Sequence, residues 1–66
     1  MLLTGEVTEL DGATGLGSVR GENGVDYLFH VVEITDGTRA IDVGQHVSFQ
    51  PLPRFGRFQA GRIHKI

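Results

Sequence analysis

The stretch RFGRF, at residues 54–58, interleaves two phenylalanine rings with two arginine guanidinium groups. Aromatic rings and guanidinium planes both stack on flat heterocyclic bases, and arginine also neutralises phosphate. The side chains with this chemistry are Arg54, Phe55, Arg57 and Phe58. The alternative interpretation is that the two rings cover one end of the fold while the two arginines face solvent.

Other groups of reactive residues do not form a recognisable catalytic or metal-binding pattern. The glycine-rich stretch GATGLG, at residues 12–17, has neither the spacing of a phosphate-binding loop nor a helix after it. The separations between His30, His46 and His64 match no zinc signature, so no metal site is expected. The serines have no evident base beside them. We therefore expect no catalytic residues, no cofactor and no enzymatic activity.

The chain is short and has no cysteine, which limits how it can be stabilised. At 66 residues it buries a small core, and disulfides and thiolate zinc sites are excluded. A sheet closed into a barrel suits such a chain because closure removes unpaired edges. No segment approaches the roughly 20 apolar residues that a bilayer span requires. We expect one domain over residues 1–66 that works in the cytoplasm and not at a membrane.

Charge is unevenly distributed along the chain, although the net value is only −2. All eight acidic residues lie between Glu6 and Asp42, whereas four of the six basic residues lie in the last thirteen positions. Such asymmetry is typical of an anion-binding surface. The alternative is that strands distant in sequence bring the two signs together as ordinary surface.

Short runs with period-two alternation predict five strands and almost no helix. The predicted ranges are residues 3–8, before a turn at Gly12, then 16–20, 26–30, 45–50 and 58–63. One helical turn is expected over residues 32–36, followed by a long loop to Gly44. Proline cannot donate to a strand ladder, so the PLP stretch at 51–53 is expected to end the fourth strand. The pattern favours an all-β, five-stranded antiparallel barrel of the OB type.

The order of short motifs is similar to that of the bacterial cold-shock domain. The segments that carry the resemblance are GEVTELDGATGLGSV, DYLFH, VGQHVSF and QAGRI. They follow that family's G-x-V-K-W-F-N, K-G-F-G-F-I, D-V-F-V-H, G-Q-x-V-x-F and Q-A patterns over essentially the whole chain. The resemblance implies a five-stranded OB-type barrel that binds single-stranded DNA and RNA in the cytoplasm. Gly15 and Gly17 are then expected where the barrel bends or another backbone approaches closely.

Most of the residues that stack on bases in that family are replaced in this chain. Glu9 stands where the family has tryptophan, and Leu16 and Ser18 stand where it has two phenylalanines. Leu28 replaces a further phenylalanine, so His30 alone remains from the stacking platform. The other replacements are Thr8 and Thr14 for lysines, Leu10 for phenylalanine, Asp11 for asparagine and Val31 for an aromatic residue.

These replacements predict a weak, non-enzymatic binder of single-stranded nucleic acid. Base stacking contributes about 1–3 kcal/mol per base, and a carboxylate at Glu9 opposes phosphate. The residues expected to bind are His30, Phe58, Arg57, Arg54 and Phe55, with Arg20, Leu16 and Leu28 as flanking contacts. The family likeness implies RNA chaperoning or a regulatory role in transcription or translation.

A second hypothesis is that the barrel has lost nucleic-acid binding and contacts a protein instead. Leu16 and Leu28, if both face outward, form an apolar spot flanked by Glu9 and His30, and such spots often mark protein contacts. The alternative is a harmless pair of exposed leucines. A monomer and a weak dimer both remain open.

Overall fold

The structure, a computed structural model, describes residues 2–35, 40–54 and 57–66, without the side chains of Arg54 and Arg57. Its strands are β1 Leu3–Asp11, β2 Leu16–Gly21, β3 Asp26–His30, β4 His46–Arg54 and β5 Arg57–Lys65. A 3₁₀ turn, Val31–Glu33, follows β3. The strands close into a barrel in the order β1-β2-β3-β5-β4. This confirms the predicted all-β, five-stranded OB-type barrel.

One seam of the barrel is parallel. The seams β1 with β2, β2 with β3, β1 with β4 and β4 with β5 are antiparallel, as predicted. Strands β3 and β5 instead pair in parallel, with Leu28 opposite Gln59. A closed ring with an odd number of strands cannot alternate direction at every seam, so one parallel contact must complete it. This contact brings Gln59 beside the outer side of β3.

The inward-facing side chains form one apolar core. Tyr27 and Phe29 of β3 are buried, whereas Leu28 is exposed and His30 half-buried, as strand alternation predicts. The Tyr27 ring lies 5.0 Å from the Phe49 ring, centroid to centroid. The remaining core residues are Val7, Val19, Ile34, Ile41, Val47, Ala60 and Ile63.

Gly17 is required by the core. A Cβ atom at this position would lie 2.7 Å from two ring carbons of Phe29 and 2.6 Å from the carbonyl oxygen of Glu9. Both distances are shorter than a carbon contact allows, so β2 reaches β1 and Phe29 only with glycine here. The retained glycine is therefore explained by barrel construction.

Strand β4 continues through the PLP stretch, so the prediction that proline ends this strand is wrong. Pro51 lies opposite Ala60, and Pro53 lies opposite Phe58. On its other edge, β4 is paired with β1 only as far as Phe49. A proline beyond that point interrupts no ladder on the β1 side, which is where proline is tolerated in strands. The ends of β1 and β5 also lie beyond the predicted ends, at Asp11 and Lys65.

Candidate nucleic-acid interface

The outward side chains of β2 and β3, with one from β1, lie side by side on the barrel. Leu16 is opposite His30, Ser18 is opposite Leu28, and Glu9 of β1 is opposite Ser18. Leu16 is 53% exposed and Leu28 is 43% exposed. We call these five residues the β2–β3 face. Among them His30 alone carries an aromatic ring, and the two leucines supply apolar surface.

His30 is held in one orientation. Its Nδ1 accepts a hydrogen bond from the backbone N–H of Val32 at 3.1 Å, which caps the 3₁₀ turn. The ring also lies against Gly15, where a Cβ atom would be 3.2 Å from the ring Cε1. Because Nδ1 accepts, the neutral ring carries its proton on Nε2. A ring fixed before binding loses less side-chain entropy when a base stacks on it.

Arg20 lies at one end of the face and is paired across the strands with Asp26. Its Nε donates to one carboxylate oxygen at 3.0 Å, and a terminal guanidinium nitrogen donates to the other at 3.4 Å. This hydrogen bond holds the pKa of Asp26 below its usual value. Both side chains are well exposed. The guanidinium therefore faces solvent at the rim but is directed towards Asp26.

We expect Asp26→Asn to strengthen oligonucleotide binding at low salt, because Arg20 is then released for phosphate. Each phosphate neutralised on a single strand adds about 0.7 to the negative slope of log K against log salt concentration. Fluorescence anisotropy titrations at several salt concentrations measure this slope. The double change Arg20→Ala with Asp26→Asn is expected to return the slope to the wild-type value. A slope that is the same in wild type, Asp26→Asn and the double variant would remove Arg20 from the interface.

Phe58 lies at the seam between β3 and β5. It precedes Gln59, the partner of Leu28, and is itself 58% exposed. One side of its ring packs edge-on against Tyr27, with a centroid separation of 6.1 Å. Phe55 lies outside the described residues, as do the side chains of Arg54 and Arg57.

The structure thus brings together Leu16, Leu28 and His30, three of the eight residues predicted to bind. Arg20 flanks them on β2, and Phe58 lies on the neighbouring strand β5.

Two grooves border the β2–β3 face. The groove on the β1 side is lined by Glu9 and Asp11 together with Leu16 and Leu28, so its rim is acidic. The groove on the β5 side, about 380 Å³ in volume, is lined by Leu28, His30, Glu33, Leu52 and Gln59 among others. The sequence did not place Glu33 or Gln59 among the expected binding residues, because the parallel β3–β5 contact that brings them to one groove is not visible in local alternation.

The described part of the chain holds no cluster of three or more histidine, aspartate or glutamate side chains able to bind a metal ion. Within the same residues, none of the helical segments has the length and apolar character needed to cross a bilayer.

Comparisons with known proteins agree with this geometry, although no protein-family profile matches the chain. It is 41% identical over 51 residues to a Bacillus anthracis protein named "Cold shock-like protein CspE", and the match covers 76% of each sequence. Its whole length superposes on a solved structure described as "drosophila Unr CSD456", with a TM-score of 0.84 and 30% identity. The chain spans 27% of that longer chain.

This chain therefore belongs to the cold-shock protein family, as the sequence resemblance predicted. Membership implies nucleic-acid binding in general terms.

Proposed function

We propose that this protein binds single-stranded DNA or RNA weakly through its β2–β3 face and catalyses no reaction. The observation that supports this is the side-by-side, outward placement of Leu16, Leu28 and His30 on a cold-shock barrel. The residues proposed to bind are His30, Phe58, Arg57, Arg54 and Phe55, flanked by Arg20, Leu16 and Leu28.

Weak binding follows from the side chains on the face. Aromatic stacking contributes about 1–3 kcal/mol per base. Two stacking rings lost at Leu16 and Ser18 therefore correspond to about 2–6 kcal/mol, or one and a half to four decades in affinity. Glu9 adds repulsion towards phosphate on the β1 side. What remains is one oriented imidazole, apolar contact from the leucines and charge at the rim.

The biological role proposed on the family likeness is RNA chaperoning or regulation of transcription or translation in the cytoplasm. Weak binding fits such a role because the strand must be released again. We further propose that residues 1–66 act as one domain.

A direct titration tests the proposed function. A fluorescently labelled, pyrimidine-rich single-stranded heptamer is titrated with the protein at low salt and again at higher salt. We expect a dissociation constant weaker than about 1 µM, with affinity that falls as salt rises. The absence of binding at about 1 mM protein would contradict the proposal.

Phe58→Ala is expected to weaken oligonucleotide binding by about 1–3 kcal/mol, because the exposed side of the ring stacks on a base. The change also removes the edge-on contact with Tyr27, which is worth about 0.5–1.5 kcal/mol of stability. Binding is therefore measured well below the melting temperature of the variant. Phe58→Leu serves as the matched control, since it keeps apolar contact with Tyr27 but has no ring. Unchanged affinity in the alanine variant would exclude Phe58 from the interface.

The second candidate function is protein binding through Leu16 and Leu28, and it is favoured by their joint exposure on adjacent strands. Exposed apolar pairs rimmed by polar groups occur at protein contacts. Leu16→Ser with Leu28→Ser separates the two functions. If the face binds a protein, we expect the wild type not to bind the heptamer. We then also expect self-association of the wild type, measured by sedimentation at several protein concentrations, to be lost in the double variant.

A further inference from the structure

The groove on the β5 side of the β2–β3 face has an apolar floor and a polar edge. Leu28 and Leu52 contribute apolar walls, and Gln59 enters because it is the parallel partner of Leu28. The 3₁₀ turn that follows β3 brings Glu33 to the same groove. Small-ligand sites have this composition, with apolar walls and a few converging polar groups that select the ligand.

Glu33 lies against β5 and has spare capacity as a hydrogen-bond acceptor. One of its carboxylate oxygens, Oε1, accepts the backbone N–H of Arg62 at 3.4 Å. The same oxygen lies 3.3 Å from where a Cβ atom at Gly61 would be, so the carboxylate rests against β5. An ionised carboxylate has about four lone-pair sites, and one long hydrogen bond uses only one of them. The carboxylate is thus directed towards β5 and is still able to accept from a ligand.

We propose that this groove holds one nucleobase and that Glu33 selects a base with an exocyclic amino group, cytosine in a pyrimidine-rich strand. The inference rests on the proposed function and adds a base preference to it. Glutamate accepts a hydrogen bond from the N4 amino group of cytosine. Uracil has nearly the same shape but presents a carbonyl oxygen at that position, and a carboxylate repels it.

The test compares heptamers of deoxycytidine and deoxyuridine, which differ at the 4-position and at the protonation of the neighbouring ring nitrogen. Both are titrated with the wild type and with Glu33→Gln at low salt and pH 7.5. We expect the wild type to bind the deoxycytidine heptamer about fivefold more tightly, the low end of base discrimination by side chains. The amide of Glu33→Gln both donates and accepts, so the preference is expected to disappear.

Glu22→Gln is the matched control because it removes the same charge from an exposed turn outside the groove. We expect it to raise affinity for both heptamers equally and to keep their ratio. Melting curves verify that Glu33→Gln is folded, and its amide oxygen is still able to accept the Arg62 N–H.

The outcomes separate this inference from the proposed function. Equal affinity for the two heptamers, or a preference unchanged in Glu33→Gln, would overturn the base selection and leave single-strand binding standing. Binding of neither heptamer would overturn both. A deoxycytidine preference that is lost only in Glu33→Gln supports the inference.

Discussion

Restoring phenylalanine at positions 16 and 18 is expected to strengthen single-strand binding by about 2–6 kcal/mol, which is one and a half to four decades in affinity. Leu16 and Ser18 both face outward on β2, beside His30 and Leu28 of β3. New rings at these positions therefore extend a platform that the barrel already presents, and no core side chain has to move. Titration of Leu16→Phe with Ser18→Phe against the labelled heptamer measures the gain.

A ring added elsewhere on the surface is the control for this experiment. Val43→Phe places a phenylalanine at a position that is exposed and outside the β2–β3 face. We expect it to leave oligonucleotide affinity unchanged. If the double variant binds no more tightly than Val43→Phe, the face is not where bases stack.

Gly17→Ala is expected to lower the free energy of unfolding by about 2–3 kcal/mol or more. Inserting a methyl group into a packed core commonly costs about 1–3 kcal/mol. Here the new carbon would meet the Phe29 ring at 2.7 Å and the Glu9 carbonyl oxygen at 2.6 Å, and the latter belongs to the backbone of the neighbouring strand. Relief requires β1 and β2 to separate, so we place the effect at the upper end of the range. Urea denaturation measures it.

Gly12→Ala is the matched control for this glycine. A Cβ atom at Gly12 meets nothing within 4 Å, and we expect the free energy of unfolding to change by less than about 0.5 kcal/mol. Equal destabilisation by the two substitutions would show that loss of glycine flexibility, and not close packing at Gly17, determines the effect.

Much of the fold was predictable because the alternation of apolar and polar residues along a strand indicates which side chains point inward. The run Asp26–His30 was predicted with its exact ends, and the burial of Tyr27 and Phe29 follows from the same alternation. The extent of β4 was not predictable from its own residues. Whether Pro51 and Pro53 interrupt a ladder depends on how far β1 accompanies β4, which is a property of the closed barrel.

Which side chains of the candidate site face outward was predictable, because this depends only on alternation along each strand. Which of them lie opposite each other was not, because this depends on the register between strands. Alternation along β2 and β3 is sufficient to predict that Leu16 and Leu28 face solvent, as they do. The pairing of Arg20 with Asp26 needs the register of β2 against β3. The placement of Glu33 and Gln59 along one groove needs the parallel seam as well. Local sequence patterns do not indicate which residues distant in sequence come into contact.

Mapping by backbone amide chemical shifts where a single-stranded pyrimidine heptamer binds tests most directly whether the β2–β3 face is the nucleic-acid interface. We expect the largest shifts at low salt at Leu16, Ser18, Leu28 and His30, and we expect them to diminish as salt is added. If these four amides do not shift and the largest shifts appear instead along β4 and β5, around Ser48 and His64, binding at the β2–β3 face is contradicted.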